Sequence, residues 1–475
     1  MNFNSLQYLL FLPVTLCLYF VLPQKLKNPV LLIASFFFYG CWEPVYTLLM
    51  LLSIVVTYAC GLLVSRSEGK TKKLWLVLCL VINLGILFFF KYFNFFSDTA
   101  GLLVGKELPT LNVLLPVGIS FYTFQALGYT IDVYRGDIPA EKNFIDYALF
   151  VSFFPQLVAG PIERTGNIVP QLKTTHRLKF ENIKSGMLLI LWGLFKKMVI
   201  ADNLATMVNH IYNAPYDKNG LQLLLATLGF AFQIYCDFSA YSDIARGSAK
   251  LLDIELMKNF DFPYGARSIK DFWRRWHISL STWFKDYLYF PLGGSRVKKW
   301  RHLVNLLIVF VVSGLWHGAA MTFVLWGLMH GAYQVIGILL TPIREKFYQK
   351  VLAKDHPVMK FVSWVGTFAL VNLAWVLFRA NSLKDARFIL GGIFTRSWSS
   401  IGDIGISTAM LIAMALAVIL LVAVDKLNRQ KSLDKFINKT LWLRYAVWFL
   451  LIAAILIFGY YGDGFDPQDF VYFQF

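Results

Sequence analysis

The chain has 475 residues, 57% of them hydrophobic, 17% aromatic and only 15% charged, with a net charge of +17 and a mean hydropathy of +0.57. A soluble domain carries about a quarter charged residues, so this composition excludes a water-soluble globular protein. The surplus of Lys and Arg raises nucleic acid as a partner, until their positions along the chain are considered.

Apolar stretches begin at once: LQYLLFLPVTLCLYFVL (6–22), PVYTLLMLLSIVVTYACGLLV (44–64) and LWLVLCLVINLGILFFF (74–90). Each is near the length that crosses roughly 30 Å of hydrocarbon. The start, MNFNS, lacks the basic residues of a cleavable signal and no A-x-A-like site follows, so the first helix is expected to remain as an anchor. Residues 1–112 read as four ordinary spans. Between 113 and 340 the texture changes, as Gly, Pro, Asp, His and aromatic residues enter the apolar runs. Polar groups at membrane depth are costly and face cavities or bundle interiors, so chemistry is expected there.

Within that middle region, FVSFFPQLVAGP (150–161) carries Pro155, Gly160 and Pro161, which break a plain spanning helix and predict a re-entrant segment. FQIYCDFSAYSDIARG (232–247) puts Asp237, Ser239, Tyr241 and Asp243 within two helical turns. These residues either bridge helices and line a cavity, or hydrogen-bond a polar substrate. Residues 267–301 are no span, with nine Lys or Arg against two Asp, interleaved with Phe272, Trp273, Trp276, Trp283, Phe284, Tyr287 and Tyr289. That mixture predicts helices lying at the headgroup level. It also suits an acidic partner, such as a phosphopantetheine-bearing carrier or coenzyme A. Residues 358–462 return to conventional spans.

The basic residues set topology. Segments 23–28, 66–73, 135–142, 163–182, 249–302, 341–357 and 425–439 hold 32 Lys and Arg, whereas 1–4, 43, 97–112, 206–220, 379–402 and 461–475 hold 6. A split of 32 to 6 is a positive-inside signal, and it places both termini outside the cytoplasm of a multi-pass protein. It also accounts for the charge without nucleic acid. The expected fold is all-α and polytopic, with about twelve crossings plus re-entrant and interfacial helices. It forms one integral-membrane domain over 1–475: N-terminal spans 1–112, a core 113–340 and C-terminal spans 341–475.

Five cysteines (Cys17, Cys41, Cys60, Cys79 and Cys236) stand singly in apolar segments and read as small buried hydrophobes. The seven histidines are never closer than 13 positions, so no pair has zinc-site spacing, and no metal site is expected. No GxSxG elbow and no Walker A loop occurs. His317, in SGLWHGAAMTF (313–323), stands apart by depth. It follows Arg301 and His302 by about 15 residues, roughly 22 Å of helix. A neutral imidazole there is either a hydrogen-bonded structural residue or a base that takes a proton from a hydroxyl, as acyl transfer to an alcohol requires. Gly314, Gly318, Ala319 and Ala320 beside it allow close approach of backbone or ligand. His330, 13 positions on, lies about 140° around a continuous helix and reads as structural.

Several stretches together resemble the bacterial membrane-bound O-acyltransferases (MBOAT), in the branch of alginate O-acetyltransferase membrane subunits. They are FPQLVAGPIER (154–164), GLFKKMVIADNLA (193–205), FQIYCDFSAYSDIA (232–245), FWRRWHISLSTWFKDYLYFPLGG (272–294), SGLWHGAAMTFVLWGLMHG (313–331) and the closing FVYFQF (470–475). The resemblance implies a helical ring around a central funnel, with 113–340 as the catalytic core, His317 as the catalytic histidine and His277, in RRWHISL, as the second functional position. It implies an acyl, chiefly acetyl, group moved from a cytoplasmic thioester (acetyl-CoA or an acyl carrier) to a hydroxyl of a cell-surface or exported polysaccharide. That transfer is direct or passes through an extracytoplasmic SGNH-type acetyltransferase. The expected home is the bacterial cytoplasmic membrane, with the lipid bilayer as solvent. D-alanyl transfer to teichoic acid, and a transporter or flippase of acylated molecules without chemistry, are the competing readings. The branch has glycine where this chain has Ala240 and Asp253, and GANWTF or GASWTF where it has GAAMTF, so Ala320 and Met321 depart beside His317.

Overall fold

The structure is a computed structural model that describes residues 1–158, 160–350, 353–430, 440–461 and 470–471. Among the described residues there is helix and no β-strand. Among the described residues, eight helices are long and apolar enough to cross a membrane: Pro44–Arg66, Gly69–Val104, Gly220–Leu251, Lys299–His317, Met321–Leu339, Pro357–Arg379, Thr408–Arg429 and Leu441–Phe458, with Leu6–Val21 as a shorter apolar helix. The chain is an all-α polytopic membrane protein. Its spans differ in what they face. Leu441–Phe458 turns nearly all its apolar residues outward, as a lipid-facing helix does, whereas Gly220–Leu251, with 78% of its most apolar 18-residue stretch buried, is the interior helix of the set. An interior helix can carry Asp237 and Ser239, because other protein groups rather than lipid surround them.

The chain divides into two compact units, residues 1–193 with 241–258, and residues 194–240 with 259–475; Gly220–Leu251 supplies its two ends to different units. In the first unit, Pro44–Arg66 packs against Gly69–Leu87 and Ile119–Arg135. Polar side chains lock this group, with Ser53 Oγ donating to Asn83 Oδ1 at 2.6 Å and Tyr147 Oη to Thr57 Oγ1 at 2.7 Å. The proline- and glycine-rich stretch is broken as its sequence predicts. Phe144–Ser152 ends at Phe153, and only the four-residue Phe154–Leu157 follows, with Pro155 in its first turn. Residue 159 of that stretch lies outside the described residues. Side chains take up the backbone groups that the break releases: Gln156 Nε2 donates to Phe150 O at 2.7 Å, and Phe154 N donates to Ser35 Oγ at 3.1 Å.

Two expectations change. Cys60, Cys79 and Cys236 are buried, but Cys17 and Cys41 are exposed on the protein surface, because the outer face of a membrane helix is apolar too and accepts a small hydrophobe. In 267–301, the helices Ile269–Trp273 and Ile278–Phe284 are far too short to span. Their aromatic rings, however, turn into the second unit rather than outward: Phe272, Trp276, Trp283 and Phe284 are all buried. Arg274 and Lys285 on the same segment stay exposed. Over 272–284 the segment therefore uses its rings as core, whereas Phe290 and Trp300 further along are exposed.

Candidate active site

The second unit is organised around a hairpin of Lys299–His317 and Met321–Leu339, joined by the three residues 318–320. Glycine makes the approach possible. A Cβ on Gly314 would lie 2.2 Å from Phe323 O, and one on Gly327 would lie 2.2 Å from Phe310 O, with the two glycines facing each other. Any larger residue at either position would push the helices apart. His317 is the last residue of the first helix, where Gly318 turns to extended backbone (φ −162°, ψ 149°). The imidazole is thus fixed at a helix end, 3% exposed.

Aromatic rings build the chamber. Ring centroids of Trp316 and Trp326 lie 5.1 Å from that of His317, both edge-on, and Phe378 lies at 5.5 Å. The second histidine arrives from the other predicted motif: the His277 ring is 6.3 Å from that of His317 and 5.9 Å from Trp316. The two histidines are 40 residues apart in sequence, and the fold brings them side by side.

His277 precedes Ile278–Phe284 in a left-handed conformation (φ 43°, ψ 55°) and is fully buried. Asn259 fixes this corner. Its carbonyl accepts from Ile278 N at 2.9 Å, and its side-chain Oδ1 accepts from Ser279 N at 3.1 Å and Ser279 Oγ at 2.9 Å. His277 Nδ1 lies 3.4 Å from the same Oδ1, an arrangement that favours the proton on Nδ1. Phe238 packs edge-on against the ring at 4.6 Å. Burial lowers the His277 pKa to about 3, so the ring is neutral at physiological pH.

His330 is also buried, but Trp326 stands against both rings, 5.1 Å from His330 and 5.1 Å from His317. Trp273 Nε1 donates to His330 Nδ1 at 3.3 Å, so this imidazole serves the packing of the aromatic wall. Asp237 belongs to a buried charge network. Lys197 Nζ is 2.8 Å from Asp202 Oδ1 and 2.8 Å from Asp237 Oδ1, and Asp237 Oδ2 accepts from Val471 N at 2.6 Å. Of the closing hexapeptide only Phe470 and Val471 are described; both are buried, with Phe470 5.8 Å from Phe238. Of the other polar residues in that run, Tyr241 and Asp243 belong to the first unit.

Residue-by-residue reading missed Asn259, Lys197 and Asp202 as partners, and Trp326 and Phe378 as chamber walls. Lys197, Asp202 and Trp326 lay inside quoted motifs and Phe378 in an apolar run, whereas Asn259 carried no such signal. The chamber offers two imidazoles in aromatic surroundings, a setting for proton transfer with water excluded. Among the described residues, no group of three or more His, Cys, Asp and Glu could hold a metal ion.

The chain matches the membrane-bound O-acyltransferase family over residues 71–379. It belongs to that family. It is 40% identical over 416 residues to the peptidoglycan O-acetyltransferase of Helicobacter pylori, covering 81% of this chain and 77% of the relative. It is 40% identical over 405 residues to the probable alginate O-acetylase AlgI of Pseudomonas putida, covering 83% and 80%. The teichoic acid D-alanyltransferase of Streptococcus thermophilus is 29% identical over 327 residues, covering 62% and 77%. This MBOAT chain is therefore an O-acyltransferase of the membrane, and the aromatic chamber, whose histidines fall within the matched residues, is its candidate active site.

Proposed function

We propose that this chain moves an acetyl group from a cytoplasmic thioester to an extracytoplasmic hydroxyl of a surface or exported polysaccharide, directly or through an SGNH-type partner transferase. The observation that carries the reading is the pair of buried imidazoles, His317 and His277, 6.3 Å apart in a chamber of Trp and Phe rings. The relatives at 40% identity carry names for acetylation of alginate and peptidoglycan, while the D-alanylating relative stands at 29%, which favours acetyl over D-alanyl.

In this reaction His317 takes the proton from the attacking hydroxyl as its oxygen bonds the thioester carbonyl carbon. The C–S bond then breaks, the thiolate leaves, and the proton passes from His317 to sulfur. One ester and one thiol result from one thioester and one alcohol. His277, neutral and held by Asn259, sits nearer the cytoplasmic mouth and orients the donor or assists transfer of that proton to the sulfur. Carrying out the transfer within the bilayer lets the acyl group cross without its carrier. Both termini lie outside the cytoplasm, in the orientation that the 32-to-6 split of basic residues supports.

His317→Ala, expressed at the wild-type level, is expected to lower O-acetylation of surface polysaccharide by about a hundredfold or more, the scale of losing a general base. Near-normal acetylation in that variant would sink the assignment and leave the flippase reading in its place.

A further inference from the structure

The helix Met321–Leu339 carries Trp326 and His330 one turn apart on one face, and both side chains are fully buried. The indole of Trp326 touches both imidazoles of this wall, with its ring centroid 5.1 Å from that of His317 and 5.1 Å from that of His330. Two neighbouring tryptophans spend their one polar atom on a hydrogen bond. Trp273 Nε1 donates to His330 Nδ1 at 3.3 Å, and Trp375 Nε1 donates to Tyr264 Oη at 3.1 Å. Trp326 lies 5.7 Å from the first ring and 5.8 Å from the second, yet among the described residues its Nε1–H has no hydrogen-bond partner.

His330 shares this property, and its tautomer follows from the bond it accepts. An imidazole that accepts at Nδ1 is neutral and carries its proton on Nε2. That Nε2–H is also buried and without a partner among the described residues. Buried polar groups are rarely left unpaired, because each loses its bond to water and gains nothing in return. Two open N–H donors on one helix face, beside the proposed base, therefore call for an acceptor. Neither atom can itself accept, so the occupant is an oxygen rich in electrons. The donors are also held rigidly, since Trp326 stacks on Trp375 and meets Phe378 edge-on at 5.2 Å. Fixed donors in a water-poor chamber hold an oxygen on which negative charge develops more tightly than they hold a neutral carbonyl.

We infer that Trp326 Nε1–H and His330 Nε2–H form an oxyanion hole beside His317, which stabilises the tetrahedral intermediate of acyl transfer. This rests on the proposed function and adds two catalytic residues to it. As the hydroxyl oxygen bonds the thioester carbonyl carbon, the π pair of the carbonyl moves onto its oxygen, and the two N–H groups take that oxyanion. When the C=O bond re-forms, the C–S pair leaves on sulfur, and the proton held by His317 completes the thiol.

The test is acetyl transfer by the full-length chain to an acceptor saccharide with its partner transferase, from acetyl-CoA and from its dithioester analogue, in which C=S replaces C=O. Sulfur is a weak hydrogen-bond acceptor, so the dithioester gains little from the hole. Trp326→Phe keeps a ring in place and removes the N–H. It is expected to lower kcat with acetyl-CoA by about a hundredfold or more at unchanged KM, and the dithioester rate by less than about threefold. His330→Gln retains an N–H donor and is expected to keep most of the activity that His330→Leu loses, a comparison that carries the test where Trp326→Phe does not fold. The ratio of the two donor rates is read within one preparation, so misfolded protein does not mimic the effect. Wild-type kcat in Trp326→Phe, equal fractional losses for the two donors, or equal activity in His330→Gln and His330→Leu would overturn the hole in favour of packing alone. His317→Ala is expected to lose transfer from both donors alike, so failure of the base and failure of the hole are read separately.

Discussion

At the scale of single residues, His277 couples chemistry to backbone. A non-glycine residue in the left-handed region costs roughly 1–2 kcal/mol, and Asn259 offsets that cost by holding Ile278 and Ser279. Its lowered pKa has a consequence for stability. The unfolded chain takes up a proton below pH 6.5, whereas the folded chain does so only near pH 3, so stability falls as pH drops through that window. At about 1.4 kcal/mol per pH unit, the loss attributable to His277 near pH 5 is about 2 kcal/mol. Thermal unfolding of wild type and His277→Asn at pH 7.5 and pH 5 is expected to show a smaller acid shift in the variant; equal shifts would place the acid sensitivity elsewhere. The Lys197 network makes a second expectation. Lys197→Met leaves Asp202 and Asp237 buried without their cation and is expected to cost about 3–5 kcal/mol, read as loss of folded protein. Wild-type thermal stability in that variant would contradict it. His317 and His277 could be singled out as candidates because each sits in a recognisable local motif. Lys197, Asp202 and Val471 were not, because no spacing rule joins positions 197, 202 and 471.

At the scale of elements, the hairpin that ends in His317 is set by glycines rather than by its leucines. Gly327→Val is expected to separate the helices, since its Cβ would meet Phe310 O at 2.2 Å, and to abolish activity along with detergent stability. Overpacking of this kind costs about 1–3 kcal/mol or more. Gly337→Ala on the same helix meets nothing within 4 Å and is expected to be silent. Matching losses in the two variants would contradict the close approach as the cause. Helix positions and the break near Pro155 were readable from hydropathy and breaker residues. The inward turn of Trp276 and Phe272 was not, because a ring between basic residues looks the same whether it faces headgroups or a protein interior.

At the scale of the whole molecule, the long apolar helices describe a multi-pass membrane enzyme, and the placement of basic residues supports the proposed orientation. With the exposed Cys17 and Cys41 replaced, Ser399→Cys is expected to react with an impermeant maleimide in intact cells, and Gln349→Cys only after permeabilisation. The reverse pattern would invert the proposed orientation. The most direct test of acyl transfer at His317 is a sided one: full-length protein in oriented proteoliposomes, labelled acetyl-CoA on the cytoplasmic face and an acceptor saccharide with its partner transferase on the other. Wild type is expected to deliver label across the bilayer with stoichiometric release of coenzyme A, and His317→Ala to deliver none. Label delivered by His317→Ala at the wild-type rate would contradict catalysis in the histidine chamber.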